Sequence, residues 1–147
     1  MLSLKFGSSL PPAVKREMDV FVSSLRALLS VSIADDGTLY ESDFGRVVQA
    51  TSITTRVTLN RRAGEITTVS QTVAAGGEAD FTVSNSRVLA DDVVVVAIKT
   101  HTSNGSFIAA VTAVTNGSFN VRLTNLHAAT AGDSVLVLSF RVLNQGA

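Results

Sequence analysis

His101 and His127, with the acidic pairs Asp35-Asp36 and Asp91-Asp92, are the residues of this 147-residue chain best suited to chemistry. Two imidazoles can share a metal, but a usable site needs a third ligand at a recognisable spacing. There is no HxH, no HExxH and no cysteine to supply one. Both histidines read as loop or interface residues. Each acidic pair stands beside a turn, where aspartate side chains bond to the backbone. Neither has EF-hand spacing, and nothing else supports a glycosidase pair. Serine and threonine are so abundant that one near a histidine in the fold would not define a triad. A glycine-rich phosphate loop is absent. The expectation is a non-enzyme with no catalytic residue, no cofactor and no metal.

The elements available to position a binding surface fall into a helical head and a β body. In PPAVKREMDVFVSSLRALLS, residues 11–30, Val14, Met18, Phe21, Val22, Leu25, Leu28 and Leu29 recur at spacings of three and four. This places them on one stripe, with Lys15, Arg16, Asp19 and Arg26 mostly off it. Pro11 and Pro12 suit a helix start, where an N–H is not needed, and Ser8 or Ser9 could cap it. A lone helix of this length is marginal in water. Its stripe must therefore pack on its own domain or between subunits; the mixed charge of its polar side argues against a membrane surface. The opening MLSLKFGSS breaks too soon for a secretory signal. The longest apolar run, VVVVAI at 93–98, is far short of a bilayer span. A soluble chain is expected.

After ADDGTLYESDFG, strands are expected at 46–51, 54–60, 64–69, 78–85, 92–99, 106–114, 118–124 and 134–143. Turn formers separate them, as in a sandwich or small barrel. Phe119, Val121 and Leu123 alternate with Asn120, Arg122 and Thr124. Leu136, Leu138, Phe140 and Val142 alternate with Val135, Val137, Ser139 and Arg141. Both patterns are those of a sheet with one buried face. Phe81, Val83 and Phe107 are expected in the same core. Asn116-Gly117 suits a type I′ hairpin. It echoes Asn104-Gly105, and for both N-x-S triplets turn chemistry outweighs glycosylation. The reading is a mainly β chain: an N-terminal arm and amphipathic helix at 1–31, a connecting loop at 32–45, and an antiparallel β-sandwich, jelly-roll-like, at 46–147.

Composition narrows the partners. Twelve basic and 12 acidic residues give zero formal charge, unlike a globally basic nucleic-acid binder, and weaken self-repulsion between packed neighbours. Without cysteine, disulfides cannot stabilise the chain. No tryptophan and a single tyrosine, Tyr40, leave little for an aromatic sugar platform. One charge feature stands out. RVVQATSITTRVTLNRR, residues 46–62, carries Arg46, Arg56, Arg61 and Arg62 with no acid between them. Guanidinium groups give up water readily and bond with planar geometry. These four are candidates for contact with an acidic protein surface, against the alternative of ordinary solvated sheet arginines. Nucleic acid would call for more cations with aromatics between them.

QATSITTRVTLNRRAGEITT at 49–68, AAGGEADFTVSNSRVLADDVVVVAI at 74–98 and AGDSVLVLSFRVLN at 131–144 resemble small capsid-associated β proteins of tailed bacteriophages. The resemblance covers roughly 47–144 and excludes the helix. It implies a head decoration, or cement, protein on the outer capsid surface that bridges neighbouring major capsid subunits. A tail or head-fibre attachment module, with or without carbohydrate binding, is the alternative. The resemblance assigns no contact residues. An apolar stripe is rarely left in water, so Val14, Met18, Phe21, Val22, Leu25 and Leu29 are candidates for self-association. A trimer is favoured over a dimer. Leu2, Leu4 and Phe6 could add a strand to a neighbour's edge.

Overall fold

The structure is a computed structural model that describes residues 11–29, 31–33, 39–41, 43–101 and 106–144. The terminal arm, Asp35-Asp36 and the Asn104 turn lie outside these residues, as do the side chains of Met18, Val22, Leu25, Leu28 and Leu29. The chain divides into Met1–Asp43 and Phe44–Ala147.

In the first unit, helix α1 runs from Pro12 to Leu29. Its opening bond is donated by Lys15 N to the Pro11 carbonyl at 3.1 Å, so proline stands where its missing N–H costs nothing. Ser23 and Ser24 turn their hydroxyls back onto the carbonyls of Asp19 and Val20, which satisfies them without leaving the helix. Two short strands, β1 (Val31–Ile33) and β2 (Leu39–Glu41), pair antiparallel. They place strand at 32–33 and 39–41, inside the range expected to be a connecting loop. A three-residue strand is too short for an alternation to be recognised in sequence.

Among its described residues the second unit carries ten strands: β3 (Phe44–Val48), β4 (Val57–Thr58), β5 (Ala63–Thr67), β6 (Gln71–Val73), β7 (Glu78–Ser84), β8 (Val93–His101), β9 (Phe107–Thr115), β10 (Ser118–Asn125), β11 (Gly132–Ser134) and β12 (Leu136–Leu143). Two four-stranded sheets have the orders β3-β5-β12-β8 and β4-β7-β10-β9, and β11 pairs with β6. The inward phases of both large sheets feed one core. Val83, Val121, Leu123, Leu136 and Leu138 are fully buried, with Phe81, Phe119, Phe140 and Val142 around them. Phe119 of β10 meets Phe140 of β12 at 5.3 Å between ring centroids, tilted by 53°. Phe107 is half-buried against this core.

The expectation of an entirely antiparallel body needs correction. β3 and β5 run parallel, as do β4 and β7. After β3 the chain crosses to the other sheet as β4 and returns as β5. Alternation along a strand reports which side chains face the core, but not which strand lies alongside or in what direction.

The crossing at 49–62 is built from the residues that make this segment distinctive. Buried Gln49 donates Nε2 to the carbonyls of Ile53 at 3.0 Å and Thr55 at 2.7 Å. Ser52 N donates to Thr55 Oγ1 at 3.0 Å, and Asn60 Oδ1 accepts from Ser86 N at 2.9 Å. Leu59 lies over Gly45 and Gly64, partners on β3 and β5. A Cβ on either glycine would come within 2.8 or 2.6 Å of its methyl groups. At the other firm local expectation, Gly117 has φ 82 between β9 and β10. Asn116 Oδ1 accepts from Ala90 N at 2.9 Å, so this turn also docks the 85–92 loop.

Replacing Leu138 by Ala should cost about 2–5 kcal/mol, from lost transfer free energy and the cavity left behind. Chemical denaturation of Leu138→Ala beside exposed Val95→Ala checks the inward phase; equal stabilities would overturn it.

Candidate interaction surfaces

The four sequence-selected arginines do not form one face. Arg46 lies on the outer face of β3, where Nε donates to Glu65 Oε2 at 2.9 Å and the guanidinium carbon stands 4.9 Å over the Phe44 ring. The stem of Arg61 passes the opposite side of β3, with Cγ 2.9 Å from where a Gly45 Cβ would be. Arg62 donates Nη1 to Asn144 Oδ1 at 2.8 Å, beyond the end of β12. Arg56 is exposed on the crossing segment. Arg46 shares its sheet face with Lys99.

That face was not legible as a unit in the sequence. Register puts Arg46 beside Glu65 and Glu65 beside Ser139, and Lys99, at the irregularity where β8 slips against β12, reaches across to Glu65. Lys99 Nζ and Arg46 Nε occupy separate oxygens of the Glu65 carboxylate. These hydrogen bonds, first from Lys99 and then from Arg46, hold the Glu65 carboxyl below its usual range. Around this centre stand exposed aliphatic side chains: Val93 opposite Leu143, Val95 opposite Arg141, and Val48 beside Thr67 on the far edge. Val93, Val95 and Leu143 are contiguous, while Val48 is separated from them by the charged residues.

The outer face of β7, β10 and β9 has different chemistry. Its rows read Ser84–Ser118–Thr115, Thr82–Asn120–Ala113, Asp80–Arg122–Ala110 and Glu78–Thr124–Ile108. Arg122 bonds Asp80 through two nitrogens at 2.8 and 2.7 Å and reaches Glu78 at 2.9 Å. The Arg122 hydrogen bonds hold the Asp80 carboxyl below its usual range, with partial desolvation opposing them. The same pairing raises the Arg122 pKa. Thr82 donates to Asn120 Oδ1 at 2.9 Å, and the hydroxyls of Thr115 and Ser118 meet at 2.9 Å. Apart from Ile108, this surface is polar or small.

His101 closes β8 rather than lying in a loop, and His127 is on the loop after β10. Among the described residues no three His, Cys, Asp or Glu side chains gather as metal ligands. Asp92 Oδ2 accepts from Leu89 N at 2.9 Å, an ordinary turn bond. Val14, Val20 and Phe21 of α1 are exposed; two of them belong to the expected stripe. Among the described residues, no helix is long and apolar enough to cross a membrane. No family model, curated protein or solved structure matches the chain.

The Glu65 site carries a signed pH expectation. A lowered carboxyl pKa contributes stability above the unfolded-state value, which is lost as pH falls through the folded one. NMR titration of the Glu65 carboxyl carbon should give a midpoint below the ordinary glutamate range, moving up in Lys99→Met. Identical midpoints in the two proteins would remove Lys99 as the leading cause.

Proposed function

We propose that this chain is a structural virion protein, a capsid decoration or cement protein that binds the outer surface of an assembled phage head and bridges major capsid subunits. The observation that carries this reading is the inequality of the two outer faces. One has exposed aliphatic side chains around an Arg46–Glu65–Lys99 centre, which suits contact with another protein. The other is polar and bonded within itself, which suits solvent. The sequence resemblance supports the same placement. The finer architecture belongs to this reading too. Phe119 against Phe140 supports a sandwich, while the parallel pairs β3–β5 and β4–β7 weigh against jelly-roll winding.

A glycan-binding fibre or tail module is the second reading. It is favoured by the hydroxyl and amide rows of Ser84, Thr82, Asn120, Ser118 and Thr115. The absence of an aromatic platform from that face keeps it second.

Cosedimentation with preassembled capsids distinguishes the two. A cement protein saturates at a fixed ratio to capsid subunits and raises particle resistance to heat, because it prefers the assembled state. Val95→Asp should weaken binding more than Thr82→Ala. Saturable glycan binding with occupancy limited to a few tail positions would replace the first reading with the second.

We also propose a homo-oligomer, a trimer in preference to a dimer, organised through α1. Exposed Val14 and Phe21 support this, and several weak contacts acting together would raise capsid avidity. Light scattering should find an oligomer for the full chain and a folded monomer for Val14→Asp/Phe21→Asp. A wild-type monomer at tens of micromolar would defeat self-association of the free protein, and an oligomer in the double variant would move the interface off these two residues.

A further inference from the structure

The loop between β10 and β11 is held by two side chains of different kinds. Asn125, fully buried at its start, donates Nδ2 to the carbonyls of Val73 and Ala74, each at 3.2 Å, and of Thr130 at 3.0 Å. Its Oδ1 accepts from His127 N at 3.1 Å. This amide cannot titrate. The second clamp is an imidazole. His127 Nδ1 accepts from the backbone N–H groups of Ala129 at 3.2 Å and Thr130 at 2.9 Å. A ring nitrogen accepts only through an unprotonated lone pair, so the proton of the neutral ring sits on Nε2.

We propose that His127 is a proton-sensitive latch for residues 127–131. With Nδ1 unprotonated, its lone pair gathers the two N–H groups and the turn is closed. A proton on Nδ1 converts that acceptor into a donor facing two donors, so both bonds are lost. The closed loop therefore excludes a proton that the open loop can bind. By linkage, falling pH favours opening and rising pH favours closure.

Segments 71–77, 106–115 and 126–132, which meet at this end of the body, contain no ionisable side chain except His127. Asp133 on β11 and Glu78 at the start of β7 border them, and Glu78 is already bridged to Arg122. Opening has a structural consequence. Gly76 N donates to the His127 carbonyl at 3.2 Å, so the 74–77 turn is coupled to the same loop. Beyond the latch, Gly132 begins β11 and lies so close to the Phe107 ring that a Cβ would have no room.

Amide exchange of the full-length protein, with imidazole nitrogen shifts recorded on the same sample, tests the latch. At neutral pH the ring should carry its proton on Nε2. Across the range in which the shifts report a second proton, protection factors of Ala129 and Thr130 should fall on the order of tenfold, the equivalent of about 1.4 kcal/mol. Those of Val121 and Leu138 should hold. His127→Asn, whose Oδ1 can accept without titrating, should remain protected throughout, and His127→Ala should be unprotected throughout. The proposal is overturned by a neutral ring protonated on Nδ1, by wild-type protection that survives ring protonation, or by an equal pH-dependent fall in His127→Asn.

Discussion

The β body depends on burying one side-chain phase from each of two sheets in a common core. A strand offers its apolar residues on one side only, and that side is stable when another layer covers it. Here Phe119, Val121 and Leu123 of β10 are answered by Leu136, Leu138 and Phe140 of β12. Connections pass between the two sheets: the chain leaves one after β3, enters the other as β4 and returns as β5. The edge pairs β3–β5 and β4–β7 are both parallel.

Crossing between layers leaves loop backbone groups beside an apolar core, where an unmade hydrogen bond costs about 1–3 kcal/mol. Buried amides meet this demand. Gln49 gathers the carbonyls of the β3–β4 segment, Asn85 Nδ2 reaches the Arg61 carbonyl at 2.6 Å, and Asn125 gathers three carbonyls around β6 and β11. Thr68 Oγ1 accepts from Leu136 N at 2.9 Å. The Q-A-T-S-x-T-T segment that looks distinctive in sequence thus has a structural role: it closes a crossover.

Surface chemistry lies on the opposite sides of the same strands. Because side chains alternate, the core phase dictates which residues face outward, and register dictates which of them meet. Arg46, Glu65 and Lys99 come from three strands and make one cluster; Glu78, Asp80 and Arg122 make another. Exposed ion pairs of this kind add little stability on their own. They give the two faces different chemical character, and the proposed division into a partner-facing and a solvent-facing side rests on that difference.

The sequence by itself determined the helix, most strand positions, the Asn116-Gly117 turn and the inward residues, because each depends on spacing within a few residues. Leu136, Leu138, Phe140 and Val142 declare their phase wherever β12 is placed. The short pair β1–β2, the parallel neighbours of β3 and β4, and the separation of Arg46 from Arg61 were not legible in that way. Arg46 and Arg61 belong to one run of sequence, yet they lie on opposite sides of β3; Arg46 and Lys99 are far apart in sequence, yet they share Glu65. Local alternation assigns a side chain to a face. Only the packing of distant strands decides what stands beside it, because their register is selected by the shared core as a whole.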